Sequence, residues 1–145
     1  MLAGTLARAI GNTSTLPHVA LRVLLVDDSA DFVESTTAVL SEQGYDVYPC
    51  TSAADVLTSV QQHNPDAVVL DIALPGKTGW ELAREIRAAR PGTQLMLIGI
   101  SGEYTKGADR VLSQMTGFDY FLTKPFDNKV LLALLEKAAQ MPQFR

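Results

Sequence analysis

One cysteine, two histidines and one tryptophan are all that this 145-residue chain holds of those types. A lone cysteine rules out an internal disulfide, and Cys50, at the end of an expected strand, reads as a buried and inert thiol. His18 falls in the terminal stretch and His63 at an expected helix end. Neither has an acidic neighbour at metal-ligand spacing, so both read as surface residues. Long apolar runs are missing too: none approaches the roughly 20 residues needed to cross a bilayer. The opening stretch MLAGTLARAIGNTSTLPHVA has one basic residue and no sustained apolar core, so a signal peptide is not expected. A net charge of -4 gives no electrostatic case for binding nucleic acid or an anionic membrane. There is no internal repeat. These absences point to a cytoplasmic, reducing compartment and to function through protein or small-molecule chemistry.

What the chain does have is a series of short apolar runs, each ending in a reactive side chain. LRVLLVDDS ends in Asp27 and Asp28, DAVVLDIALPG in Asp71, QLMLIGISG in Ser101 and DYFLTKPF in Lys124. Runs rich in Val, Leu and Ile, separated by helical patterns, read as parallel strands buried on both faces. The pattern predicts strands near 21–26, 46–49, 67–70, 95–100 and 120–122. The first helix is expected from Ser29, with Phe32, Thr36, Val39 and Leu40 inward and Gly44 as its stop. The second uses Ala53, Val56, Leu57 and Val60, spaced for one helical face, and breaks at Asn64-Pro65. The third opens near Gly79, with Trp80 packing at its start, and buries Leu82, Ala83 and Ile86. A fourth carries Ala108, Val111, Leu112 and Met115. The last runs over 127–139 with Val130, Leu131, Leu134 and Ala138 inward. Five βα units make one α/β domain with right-handed crossovers and helices on both faces. Residues 1–20 read as an extension or linker remnant, 21–140 as the domain and 141–145 as a tail. The 21 residues after Lys124 suffice for one helix and no appended output domain.

In an open parallel sheet, ligands bind just outside the carboxyl ends of the strands. Three carboxylates, a hydroxyl and an ammonium are therefore expected to meet at one edge, which suits a divalent cation and a phosphoryl group. One residue suffices to cap the first helix, which leaves Asp27 without a structural role. Two adjacent carboxylates also repel each other unless a cation joins them. Asp71 ends a buried strand, where an unpaired charge is costly; it is alternatively a turn-former before Pro75-Gly76. Lys124 or a shared metal can satisfy it. Oxygen-only ligands from few protein groups suit Mg²⁺, and a carboxylate so placed can act as the nucleophile that forms an aspartyl phosphate. Pro125 after Lys124 admits a cis bond that turns the lysine back into the site.

Taken together, VDDS, VVLDIALPG, GIS and FLTKPF, in this order and at this spacing, resemble the receiver domain of bacterial two-component response regulators over residues 21–139. The segment DIALPGKTGWELAREIR is similar to receivers attached to hybrid histidine kinases. The resemblance implies a flavodoxin-like (βα)5 doubly wound parallel sheet of strand order 2-1-3-4-5. It implies Asp71 as phosphoacceptor and Mg²⁺ ligated by Asp28, by Asp27 through water, by Asp71 and by the carbonyl of Ala73. Ser101 and Lys124 would bind the phosphoryl group, and Phe121 would be the aromatic whose movement is coupled to Ser101. The implied partners are a histidine kinase or histidine phosphotransfer protein and a downstream protein, with a homodimer open and neither direct nucleic-acid nor membrane contact. Such a domain is no enzyme beyond its own phosphorylation and dephosphorylation.

Departures from the family pattern are Ala73 in place of a polar side chain, Ser101 in place of threonine, and a stretch SGEYTKGADR about one residue longer than usual. A second reading is a constitutive interaction module that keeps the fold without the chemistry; loss of Asp28, Asp71 or Lys124 would have favoured it, and all three are present. Flavodoxins instead need a Ser/Thr/Gly-rich loop after the first strand, where Asp27 and Asp28 would repel phosphate. Aspartate-nucleophile phosphatases need Asp-x-Asp there, which VDDSAD does not supply.

Overall fold

The computed structural model describes residues 20–92, 94–102 and 117–140. Five strands, β1 (Arg22–Val26), β2 (Asp46–Cys50), β3 (Ala67–Asp71), β4 (Met96–Ser101) and β5 (Tyr120–Thr123), form one sheet. All neighbours are parallel and the order is β2-β1-β3-β4-β5, the flavodoxin-like arrangement expected. The described helices are α1 (Ala30–Glu42), α2 (Val56–His63) after a 3-10 turn at Ala53–Asp55, α3 (Gly79–Ala89) and α4 (Asn128–Ala139). The helix expected around 108–115, most of SGEYTKGADR, the first 19 residues and the last five lie outside the described residues.

Side chains alternate across the strands, so each central strand feeds two apolar layers. Leu25, Val69, Ile98 and Ile100 meet α1 and the Leu131, Leu135 and Ala138 face of α4. On the other side Leu24, Val68, Leu70 and Leu97 meet Val56 and Val60 of α2 and Leu82, Ala83 and Ile86 of α3. β3 and β4 are buried throughout, which explains their unbroken apolar sequence. β2 is an edge strand and tolerates Pro49, whose missing N–H would cost a ladder hydrogen bond wherever it had to face a neighbouring strand. The chain leaves β1 for β2 on one side and returns to β3 on the other. The carboxyl ends of β1 and β3 therefore flank the crevice where the order reverses.

Local signals set most boundaries. Ser29 caps α1 by accepting the Phe32 N–H. Asn64 ends α2 in the left-handed region at φ 49°. Thr78 and Glu81 form a reciprocal capping box on α3. Two expectations are corrected. On α4 the inward face is Leu131, Leu135 and Ala138, while Val130 is 47% exposed and Leu134 only half-buried. VLLALL has apolar residues all round, so its periodicity cannot choose a face and packing decides. His63 is not a free surface residue: its ring stacks on Tyr48 with centroids 4.0 Å apart and planes 14° from parallel. Cys50 ends β2 buried, as expected, and its thiol donates to the Ser52 carbonyl at 3.3 Å.

Candidate functional site

Asp27 and Asp28 follow β1, Asp71 is the last residue of β3, Ser101 the last of β4, and Lys124 follows β5. Parallel register sets these ends level: Asp71 pairs with Ile100, and Ser101 with Thr123. The Lys124 N–H donates to the Ser101 carbonyl at 2.8 Å, extending the ladder by one bond past β5. The Lys124–Pro125 bond is cis.

Asp27 is fully buried, and both its oxygens are used. Oδ1 accepts the Ser29 N–H at 2.9 Å and Oδ2 accepts the Lys124 ammonium at 2.7 Å. Asp27 thus has the structural role its sequence context did not reveal: it shapes the turn into α1 and ties β1 to the end of β5. A buried carboxylate is tolerable only with such partners. The Lys124 ammonium also lies 4.2 Å from the centre of the Phe32 ring, a cation–π contact.

Asp28 is exposed at the rim, whereas Asp71 is only 8% exposed. Asp71 Oδ1 accepts the Ala73 N–H at 2.9 Å. Burial pushes the Asp71 carboxyl above the ordinary carboxylate range; the Ala73 N–H opposes this, Asp27 adds to it, and Lys124 and Asp28 contribute smaller opposing effects. Each of Asp27, Asp28 and Asp71 offers an oxygen, and these oxygens lie within 4.8 Å of one another. Around a six-coordinate Mg²⁺ at about 2.1 Å, ligand oxygens sit roughly 3–4 Å apart. Oxygens within 4.8 Å of one another have to draw together by no more than about 2 Å to share one ion. With Asp27 already holding Lys124, the exposed Asp28 and the free side of Asp71 are the readier donors. The cluster can coordinate a divalent cation, and its hard oxygen donors fit one of the Mg²⁺ type.

Ile72, next after Asp71, is where α3 docks. The Gly79 N–H donates to the Ile72 carbonyl at 3.0 Å, and a Cβ on Gly79 would collide with the Ile72 Cα. Only glycine permits this approach. Gly79→Ala is expected to cost about 2–3 kcal/mol, the upper part of the range for overpacking a tight contact, read as a lowered urea midpoint. An unchanged midpoint would mean that α3 can lift away from Ile72 at no cost.

Sequence reasoning named Asp27, Asp28, Asp71, Ser101 and Lys124, and the fold brings all five to one edge. Ala73 is exposed beside them. Phe121 is on the same face of the sheet as Ser101 but two residues lower, with its ring against Gly99. Three contributors were missed: Phe32 beneath the lysine, Gly79 against Ile72, and Gly99 under Phe121. A glycine inside an otherwise wholly apolar strand was the available signal for the last.

A family model described as the response regulator receiver domain matches residues 23–136, and the chain belongs to that family. Among solved structures, a CheY-like receiver domain protein from Methanospirillum hungatei is 28% identical, with a TM-score of 0.76 over 86% of this chain and 98% of that one. The non-phosphorylated HemR receiver domain of Leptospira biflexa is 26% identical, with a TM-score of 0.74 over 83% and 95%. The BeF3-activated DrrB receiver domain, at 24% identity and a TM-score of 0.75 over 84% and 99%, shares the fold. The receiver domain is a phosphoaspartate-based signalling switch, of a family that catalyses its own phosphorylation and dephosphorylation.

Proposed function

We propose that Asp71 is the phosphoacceptor and that the donor is a phosphohistidine on a histidine kinase or histidine phosphotransfer protein. An Asp71 carboxylate oxygen attacks phosphorus in line, the phosphorus–nitrogen bond breaks with its electron pair going to nitrogen, and the ring, protonated on its other nitrogen, leaves as neutral imidazole. Water later cleaves the acyl phosphate to inorganic phosphate and restores the carboxylate. Such transfers ask the protein mainly for positioning and for charge stabilisation. Lys124 supplies a cation at the acceptor's edge, and the Ser101 hydroxyl is the proposed donor to a phosphoryl oxygen. Asp28, Asp71, the Ala73 carbonyl and, through water, Asp27 are the proposed ligands of Mg²⁺, which when bound neutralises charge on the phosphoryl oxygens.

The observation that carries this reading is the placement of Asp71. It is a buried carboxylate at the end of a central strand, grouped with two further carboxylates within 4.8 Å and facing a lysine held by one of them. The receiver of this proposal spans 21–140 and acts in the cytoplasm. No helix among the described residues is long and apolar enough to cross a membrane. Output passes through a downstream protein that distinguishes the two charge states.

Intact mass after incubation with acetyl phosphate tests the assignment. The native chain is expected to gain one phosphoryl group only when Mg²⁺ is present, and Asp71→Asn to gain none. An adduct that survives in Asp71→Asn would move the acceptor to another residue. A native chain that takes neither phosphoryl nor beryllofluoride would favour the constitutive interaction module.

A further inference from the structure

The chain enters the sheet beside a groove. The Asp46 N–H donates to the Leu21 carbonyl at 3.0 Å, and Arg22 is in register with Asp46. Tyr45, one residue earlier, is half-buried and forms one wall of the groove with Gln43, the residue that closes α1. The other wall is α4, where Lys129, Leu132, Ala133 and Glu136 at i, i+3, i+4 and i+7 present one helical face. This is not the face that α4 buries, which is Leu131, Leu135 and Ala138. The groove holds about 370 Å³, within the range of ligand-sized clefts. Its floor is apolar, from Tyr45 and Leu132, which both pack on the core beneath α1 and α4. Ala133 is small and exposed, so a partner can come close to the α4 backbone. The two walls face each other: burial, and after it the Glu136 carboxylate, push the Tyr45 phenol up.

The sequence ahead of β1 contains a segment of matching form. At helical spacing Leu2, Leu6, Ala9 and Ile10 fall at i, i+4, i+7 and i+8 and share one face, with Thr5 and Arg8 opposite. Residues 2–10 as a helix would span about 13 Å, and α4 from Lys129 to Glu136 spans about 10 Å. So short a helix is marginal alone and needs a surface for its apolar face. Residues 11–20, GNTSTLPHVA, include Gly11, Asn12 and Pro17, which suit a connection and not a helix. Fully extended they reach about 33 Å, and the groove wall begins next to the point where the chain enters β1. The reach is ample for residues 2–10 to fold back onto the groove of their own chain. A segment tethered this closely has an effective concentration in the millimolar range, so a modest contact area holds it.

We propose that residues 2–10 dock as an amphipathic helix in the groove between α1 and α4 of the same chain, with Leu6 and Ile10 against Tyr45, Leu132 and Ala133. This is the helix-in-groove mode of recognition, made within one molecule. The seated segment covers this face and keeps it from other proteins. Docking needs neither a phosphoryl group on Asp71 nor a bound ion.

Hydrogen exchange of the full chain, read by mass spectrometry, tests this. The segment's amides are expected to exchange about tenfold or more slowly than in a free peptide of the same sequence. Ala133→Arg places a good helix former at an exposed position and fills the groove. It should return the segment to the peptide's rate and leave protection of the sheet unchanged. Ala133→Ser, which adds one heavy atom, should retain most of the slowing. Leu6→Asp with Ile10→Asp leaves the groove untouched and should abolish the slowing as well. Slowing that grows with protein concentration would place the segment on a second copy and overturn docking within one chain. A native segment that exchanges as fast as the peptide, or slowing that Ala133→Arg leaves intact, would overturn the proposal outright.

Discussion

Lys124→Met is expected to destabilise the protein by about 2–4 kcal/mol in metal-free buffer at neutral pH, and Mg²⁺ is expected to return a large part of that loss. Methionine keeps the unbranched stem that passes Phe32 and deletes only the ammonium. What remains is Asp27, fully buried, with one oxygen still accepting the Ser29 N–H and the other without its 2.7 Å partner. Breaking a buried pair by removing one member typically costs about 3–5 kcal/mol, because the surviving charge stays desolvated. The lysine side chain is 28% exposed. Water can therefore reach the vacated position, which argues for the lower part of that range. Asp28 and Asp71 deepen the loss, since all three carboxylates then share the edge with no cation among them. A divalent ion binds the folded cluster and not the unfolded chain, so it stabilises by mass action. Urea unfolding of native and variant chains, with and without Mg²⁺, measures both effects. Asp27→Asn combined with Lys124→Met should recover stability without metal. A variant as stable as the native chain in metal-free buffer would mean that the Asp27–Lys124 pair contributes nothing net.

The same pair shows where sequence reading reached and where it stopped. Strand ends are legible because burial on both faces forces unbroken Val, Leu and Ile runs, and a polar residue after such a run must lie at an edge. Parallel connectivity then places Asp27, Asp28, Asp71, Ser101 and Lys124 at the same edge without knowledge of any contact. Which carboxylate takes the lysine is a matter of a few ångströms, set by how far β1 and β5 extend. Nothing in VDDS distinguishes Asp27, turned into the core, from Asp28, turned to solvent. The face of α4 was misread for a different reason: VLLALL offers apolar residues in every direction, and only contact with β4 and α1 selects Leu131 and Leu135 over Val130. The packing of the Phe121 ring was unreadable because it depends on a missing side chain at Gly99 meeting two rings from a distant segment. A void has no periodicity.

Asp71→Asn is expected to abolish phosphorylation and yet make the metal-free protein more stable at neutral pH. Burial and its acidic neighbours hold the Asp71 carboxyl above its ordinary value of 3.8 in the folded state. Between that value and the higher folded one, the folded protein binds more protons than the unfolded chain, so stability falls as pH rises through the window. Above the window the full penalty is present; below it, where both states are protonated, the penalty vanishes. Asparagine removes the charge and keeps an oxygen that can accept the Ala73 N–H. Carboxylates within 4.8 Å at an effective dielectric of about 20 repel by roughly 3 kcal/mol per pair, and Lys124 offsets part of this. The gain at pH 7 is accordingly put at about 1–2 kcal/mol, or several degrees in Tm for a domain of this size. Titrating pH downward should bring the two melting temperatures together. Adding Mg²⁺ should reverse their order, because the native cluster has three carboxylates to hold the ion and the variant has two. A variant less stable than the native chain at pH 7 without metal would show that the Asp71 charge is stabilised by its surroundings and not strained by them. The switch would then have to draw its driving force from the phosphoryl group alone, with no relief of charge stored at the acceptor.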